Sequence, residues 1–356
     1  MAIVKFVEVC EKIGSGATPR GGKEAYSDEG ISLVRSQNVL DFSFSSDGLV
    51  HINDEQAKKL KNVELHPDDV LLNITGDSVA RACIMDSSFL PARVNQHVAI
   101  VRGKKELVLN SYILYYLQWK KDYLLQLASA GATRNALTKG MIEQLDINLP
   151  SLTEQKRIVA VLDSIQQKIS VNKKINDNLQ QQAAAIFRSW FVDCAPFGGK
   201  APDEWENVTL EDITALVSRG ITPKYADDTD QIVINQKCIR NHTIDLSLAR
   251  THTPKIINEK WLRFGDLLIN STGDGTLGRA AQVWFQPKNL TVDSHVTIAR
   301  PAKENLIFYI GLWGILHEKE IESLHTGSTG QTELPRDRVK AMELRLPDND
   351  LSLIHI

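Results

Sequence analysis

The segment "STGDGTLGRA" at 271–280 carries Gly273, Gly275 and Gly278 in the spacing G-x-G-x-x-G, directly after the run Phe264 to Ile269. Glycines at that spacing cradle a pyrophosphate at a helix N-terminus when they join a strand to a helix, and an acidic residue about 20 positions on binds the ribose. Asp293 stands near that distance. The chemistry would be that of a nucleotide-dependent enzyme, and it requires a helix to leave the last glycine.

Beyond that loop, the chain repeats itself. "DVLLNITGD" at 69–77 matches "DLLINSTGD" at 266–274 in six of nine positions, and "VNQHVAIVR" at 94–102 matches "VDSHVTIAR" at 292–300 in five of nine. The pairs "GATPR" and "GITPK", "SQNV" and "NQKCI", "AGATRNAL" and "TGSTGQTEL", and "LDINLP" and "MELRLP" keep the same order. Two diverged copies of one domain are therefore expected, over 1–150 and 205–347. The glycine loop is not common to them. Where the second copy has Thr272-Gly273-Asp274-Gly275, the first has Thr75-Gly76-Asp77-Ser78, so only the first glycine is shared. A dinucleotide site needs the others for its turn and for close phosphate approach. Both copies keep an apolar strand ending in Asn, a Thr-Gly-Asp turn and a following Arg.

At 356 residues the chain has room for two or three domains of about 100 to 200 residues each. Cys10, Cys83, Cys194 and Cys238 form no C-x-x-C pair, which argues against a zinc knuckle or disulfide frame and fits a reducing cytoplasm. No secretion signal or membrane-spanning run is legible. The net charge of −3 is not that of a free-standing nucleic-acid binder, so any DNA contact must come from local basic patches or be shared with basic partners.

Each copy reads as mixed α/β (α+β). Val70 to Ile74, Val98 to Val101, Gln231 to Ile234 and Val296 to Ala299 have strand character, and "SYILYYLQWKKDYLLQLAS" at 111–129 reads as one amphipathic helix, whose aromatic stripe is either core packing or a stacking platform for bases.

Between the copies lies a helix over 151–193. Ser151 and Glu154 form an S-x-x-E capping box after Pro150. Ile158, Leu162, Ile165, Ile169, Asn172, Asn176, Leu179, Ala183, Ile186 and Trp190 then succeed one another in steps of four and three, a heptad seam whose apolar members need a partner helix. From 153 to 190 the helix would run about 57 Å. Asn172 and Asn176 either set register or mark a weakly packed middle. Residues 194–204, "CAPFGGKAPDE", make a linker of Pro and Gly.

Repeat, long helix, repeat, with "LPSLTEQKRIVAVL" opening the helix and "AIFRSWFVDCAPFGG" closing it, resembles the DNA specificity subunit of type I restriction-modification systems. The resemblance covers essentially the whole chain. It implies two target-recognition domains, each reading half of a split double-stranded DNA site, and a spacer helix that docks methyltransferase subunits and, through them, a restriction and translocase subunit. It implies no catalysis in this chain, with S-adenosylmethionine and ATP held only by partner subunits, no metal and no membrane. The family pattern has a second such helix after the second repeat. Here 348–356 reads as a truncated tail, which leads to the expectation that the central helix pairs with a second copy or with methyltransferase helices. A coiled-coil scaffold without DNA function, or an enzyme built on the glycine loop, are the alternatives.

Base edges are read by Arg, Lys, Asn and Gln in the grooves, while phosphate contacts fix register without sequence information. Positions identical in the two copies are accordingly expected to be architectural or phosphate-facing: Thr18 and Thr222, Thr75 and Thr272, Arg81 and Arg279, His97 and His295. Polar positions that differ are candidate base readers. In the first copy these are Arg20, Lys23, Arg35, Asn38, Ser78, Asn95, Gln96, Arg134 and Asn135, and in the second Lys224, Lys237, Arg240, Thr276, Ser294, Gln331 and Thr332.

Overall fold

A computed structural model describes residues 2–19, 25–27, 29–129, 135–273, 275–327 and 332–347. The chain divides into two compact units at Asn172/Lys173, inside the long helix.

Unit 1 is built on a four-stranded antiparallel sheet in the order Cys10–Ser15, Val98–Gly103, Val70–Asn73, Ala82–Ile84. A second sheet carries Ile31–Val34 in the middle, antiparallel to Val50–Ile52 and parallel to Ala92–Val94. The strand Ala2–Lys5 pairs with Asp146–Leu149, tying the start of the unit to its end. The central strand Val70–Asn73 is buried on both faces. Val70 and Leu72 pack with Phe6, Ile113, Leu117 and Leu124 under the helices, while Leu71 packs with Leu33, Ile100 and Met85 between the sheets. A continuous apolar run is what such a doubly covered strand needs.

Unit 2 repeats this order strand for strand. Its four-stranded sheet is Thr214–Arg219, Val296–Pro301, Leu267–Asn270, Ala280–Gln282, its second sheet has Ile232–Ile234 parallel to Leu290–Val292, and Glu206–Thr209 pairs with Glu343–Leu346. Gly16 and Gly220 occupy the same place in the two units for one steric reason: a Cβ would lie 1.7 Å from the Val94 carbonyl oxygen in the first and 1.9 Å from that of Val292 in the second.

The structure corrects two expectations. The segment 111–129 is two helices, Asn110–Trp119 and Lys121–Ser129, bent at Lys120 so that Leu124 and Ala128 reach the same core as Ile113 and Leu117. The glycine loop connects the strand Leu267–Asn270 to its antiparallel neighbour Ala280–Gln282, so among the described residues the last glycine leads into a strand and not into the helix that the motif requires. Gly273, Gly275 and Gly278 all have positive φ and serve the hairpin's turn.

The long helix runs Leu152–Phe187 and widens into a π turn at Arg188–Val192. Its start is fixed by Ser151 Oγ, which accepts from the Glu154 amide, and by the fully buried Gln155, whose side chain bonds the Leu109 amide and the Leu107 and Pro150 carbonyls. The apolar seam is not uniform. Ile158 and Leu162 share a pocket with Tyr112, Tyr115 and Tyr116 of unit 1, and Trp190 packs edge-on to Phe197 against the unit 2 core, so both ends of the seam are taken up locally. Ile165, Ile169, Leu179 and Ile186 are exposed, as are Asn172 and Asn176. The segment 194–204 is not a free tether, because Phe197 packs edge-on to Trp205, whose ring also meets Phe191. No described helix is long and apolar enough to cross a membrane.

Candidate nucleic-acid interface

The shared loop of each repeat hangs from a buried ion pair and a buried amide. Asp69 is fully buried. Its Oδ1 lies 2.5 Å from Arg102 Nε and its Oδ2 2.6 Å from Arg102 Nη2, while Oδ2 also accepts from the His66 amide at 2.8 Å. Asp266 and Arg300 repeat this at 2.8 and 2.7 Å, with the Arg263 amide as third donor. Hydrogen bonding from Asp69 raises the Arg102 guanidinium above its ordinary pKa, against the opposing effect of burial. Four residues along, Asn73 Nδ2 donates to the Ser36 carbonyl at 2.8 Å, and Asn270 Nδ2 to the Gln236 carbonyl at 3.1 Å. Each amide thus holds the short turn of the second sheet, Ser36–Asn38 or Gln236–Cys238, against the strand that feeds the loop.

On that frame the shared polar residues meet. Thr75 Oγ1 is 2.6 Å from His97 Nδ1, and Thr272 Oγ1 is 2.8 Å from His295 Nδ1. The His97 amide donates to Asn95 Oδ1 at 3.0 Å and the His295 amide to Asp293 Oδ1 at 2.9 Å. In unit 1 the chain continues from His97 Nε2 to Gln96 Nε2 at 3.0 Å and from Gln96 Oε1 to the Thr18 hydroxyl. In unit 2 Thr272 instead donates to Gln236 Oε1 at 3.0 Å. The 135–137 and 332–334 segments lie alongside: the Gly76 amide donates to the Asn135 carbonyl, Leu137 N to the Ile74 carbonyl and Leu334 N to the Ser271 carbonyl. Thr18, Thr75, Asn95, Gln96 and His97 are thus joined in unit 1, with Asn135 beside Gly76 and with Ser78 and Arg81 following in the same loop, and Thr272 and His295 are joined in unit 2, with Thr276 and Arg279 in the loop that follows Thr272.

Some candidates are occupied by the scaffold. Asn38 is fully buried, with its amide on the Ser45 and Asp47 carbonyls and its Oδ1 on the Arg35 amide, so its polar edge is committed to the turn. Asn95 is buried as well, with Oδ1 spent on His97. Arg35 is half-buried, bonds the Gly48 carbonyl at 2.6 Å and lies 5.7 Å from the Tyr26 ring centre. Arg279 folds back on the Gly275 carbonyl at 2.6 Å, and Thr276 on those of Thr272 and Gly273. Lys237 and Arg240 are exposed beside the unit 2 turn, and Lys224 and Thr222 are exposed on a segment whose carbonyls accept from Thr253 N and Lys255 Nζ. Arg20, Lys23, Arg134 and Gln331 lie outside the described residues.

Asp293, the residue placed for a ribose, is buried and turned onto His295, and burial raises its carboxyl above the ordinary value while the His295 amide pulls the other way. Sequence reasoning missed Asp69–Arg102, Asp266–Arg300, Asn73 and Asn270 as a supporting frame. The signal was present, since all of them fall in the two best-matched repeat segments. Among the described residues no group of three or more His, Cys, Asp or Glu is placed to hold a metal ion.

Comparison with known proteins agrees with this architecture. Residues 1–181 match the model of the type I restriction modification DNA specificity domain. The chain is 24% identical over 321 residues to the MjaIX type I restriction enzyme specificity subunit of Methanocaldococcus jannaschii, covering 83% of this chain and 71% of the relative. It is 24% identical over 203 residues to the HindI specificity subunit of Haemophilus influenzae, covering 56% of this chain and only 43% of that relative's length. The crystal structure of a type I restriction-modification S subunit from M. genitalium shares the fold, with a TM-score of 0.54 at 12% identity over 99% of this chain and 86% of that one.

Proposed function

This chain belongs to the type I restriction modification DNA specificity domain family, and from that membership we propose that it reads a split double-stranded DNA target on behalf of modification and restriction subunits. Each unit reads one half-site. The observation that carries this reading is the loop cluster built twice on one frame. The Thr–His pair and the buried Asp–Arg pair are kept, while the polar residues beside them change, Gln96 to Ser294 and Asn95 to Asp293. Identical frames with different side chains suit two readers of different sequences, whose phosphate contacts can be alike and whose base contacts cannot.

The exposed middle of the long helix, with Ile165, Ile169 and Leu179, is the surface for methyltransferase helices or for the same helix of a second copy. The chain performs no reaction itself in this reading. S-adenosylmethionine and ATP are held by its partners. Its slightly negative net charge supports weak, unselective DNA binding by the isolated chain and selective binding once basic partners join.

The test is to exchange residues 202–347 for the matching domain of a relative and map methylated bases in cells that carry the methyltransferase. One half of the methylated sequence should change and the other persist. Change in both halves, or an assembled complex with no sequence preference, would overturn the reading.

A further inference from the structure

An arginine of unit 2 stacks on a tyrosine beside the shared loop. Arg250 stands in the edge strand Arg250–Thr251 of the second sheet, opposite Val233 of the strand Ile232–Ile234. Its guanidinium carbon lies 3.7 Å from the centre of the Tyr225 ring, over the ring's face, and both side chains are exposed. Among the described residues that guanidinium makes no hydrogen bond and no ion pair, so its N–H groups are unspent.

The stack is held from two sides. The segment that carries Tyr225 is laid along the second sheet: the Ile221 amide donates to the Val292 carbonyl at 2.9 Å, the Ala226 amide to the Thr251 carbonyl at 3.3 Å, and the Thr251 hydroxyl to the Ala226 carbonyl at 2.6 Å. It starts beside Asp293, which accepts the His295 amide, and ends on the strand of Arg250. From the other side, Asn235 Nδ2 donates to the Leu248 carbonyl at 3.2 Å, and the next residue, Gln236, accepts the Thr272 hydroxyl at 3.0 Å. Burial and then the Asp293 carboxylate raise the Tyr225 phenol above its ordinary value, while Arg250 opposes them. Tyr225 and Arg250 therefore border the Thr272–His295 pair. Unit 1 differs at this place: Leu33 pairs with Val50 where Val233 pairs with Arg250, and its own tyrosine-bound arginine, Arg35, is half-buried with Nη2 spent on the Gly48 carbonyl.

We infer, on the DNA-reading function proposed above, that Arg250 is a specificity-determining residue of unit 2 that reads the N7 and O6 edge of a guanine, with Tyr225 as the residue that positions it. A planar guanidinium presents parallel N–H donors that match the two acceptors of guanine in the major groove. Stacking on an aromatic face holds that plane and leaves its N–H edge free. Phosphate contacts carry no sequence information and can be alike in both units. A guanidinium present in one unit and replaced by Val50 in the other belongs with the side chains that tell the half-sites apart.

The exchange of residues 202–347 identifies the half-site that unit 2 reads. The full chain in complex with its methyltransferase subunits is then titrated, by competition, with duplexes in which each guanine of that half-site is replaced singly by 7-deazaguanine, which lacks the N7 acceptor. One replacement should weaken binding about tenfold. Arg250→Ala and Arg250→Lys should each erase that difference and leave discrimination in the other half-site intact. Arg250 is exposed, and an unchanged circular dichroism spectrum checks that the variants fold. Uniform weakening of every duplex by Arg250→Ala would make the residue a phosphate contact and overturn the inference while the two-reader function stands. A half-site of A·T pairs alone, or a 7-deazaguanine effect that persists in both variants, would overturn it in the same way. A wild-type complex that prefers no sequence would overturn the function and the inference with it.

Discussion

The Thr75 hydroxyl lies 2.6 Å from Nδ1 of His97, and the bond recurs between Thr272 and His295 at 2.8 Å. It joins the turn after one sheet strand to the residue before the next, so the imidazole is held at a fixed place on the loop; in unit 1 its other nitrogen meets Gln96, where unit 2 has Ser294 in the sequence.

Thr75→Val keeps the shape and removes the hydroxyl that bonds His97 Nδ1. Discrimination at the half-site read by unit 1 should fall, while the half-site read through Thr272 keeps its own. Competition binding of the assembled complex with DNA altered in one half at a time measures this, and equal losses in both halves would contradict it.

Asp69→Ala leaves Arg102 buried with only the half-exposed Glu11, 3.6 Å from Nη1, in place of its bidentate carboxylate. Removing one member of a buried pair costs about 3 to 5 kcal/mol, and Asp69 has both oxygens on the guanidinium. Hydrogen exchange should show unit 1 opening far more readily with unit 2 unaffected. Protection unchanged in Val70–Asn73 and Val98–Gly103 would show that the pair holds nothing together.

His242 Nδ1 lies 3.3 Å from Glu318 Oε1, an ion pair rather than a well-aligned hydrogen bond, and Glu318 raises the imidazole above its ordinary value of 6.5 against the effect of burial. A raised histidine contributes stability that is fully present below the unfolded value and is lost as pH rises through the folded one. Unit 2 should therefore be more resistant to urea at about pH 6 than at about pH 8. His242→Asn should flatten the difference, and an undiminished pH effect in that variant would assign it elsewhere.

Ile165 and Ile169 are 51% and 45% exposed and take no part in either core. Replacing both by Asp should abolish association of the long helix with its partner and leave the folding of both units intact. Sedimentation at several concentrations, with and without methyltransferase subunits, reads the outcome. Association that survives both substitutions would move the contact to another surface.

The double Asp–Arg and Thr–His geometry was legible only as two matched strings, "DVLLNITGD" with "VNQHVAIVR" and their second copies. Those strings determined that one domain occurs twice and that Val70–Asn73 and Leu267–Asn270 are strands, and the capping box after Pro150 determined where the long helix starts, because turn chemistry, capping and side-chain periodicity are local. The repeat also exposed the glycine loop as peculiar to one copy. The element after that loop was decided by pairing: Ala280–Gln282 bonds Leu267–Asn270 as a strand, and no local pattern in "STGDGTLGRA" distinguishes a hairpin from a phosphate cradle. The buried partners of Asp69 and Asn73 come from 33 and 37 residues away along the chain, a distance at which spacing carries no information. The helix seam marks the same limit. A heptad pattern says that one face is apolar, but only packing revealed that Ile158 and Leu162 are covered by tyrosines of unit 1 and Trp190 by unit 2, leaving the middle of the seam to face solvent.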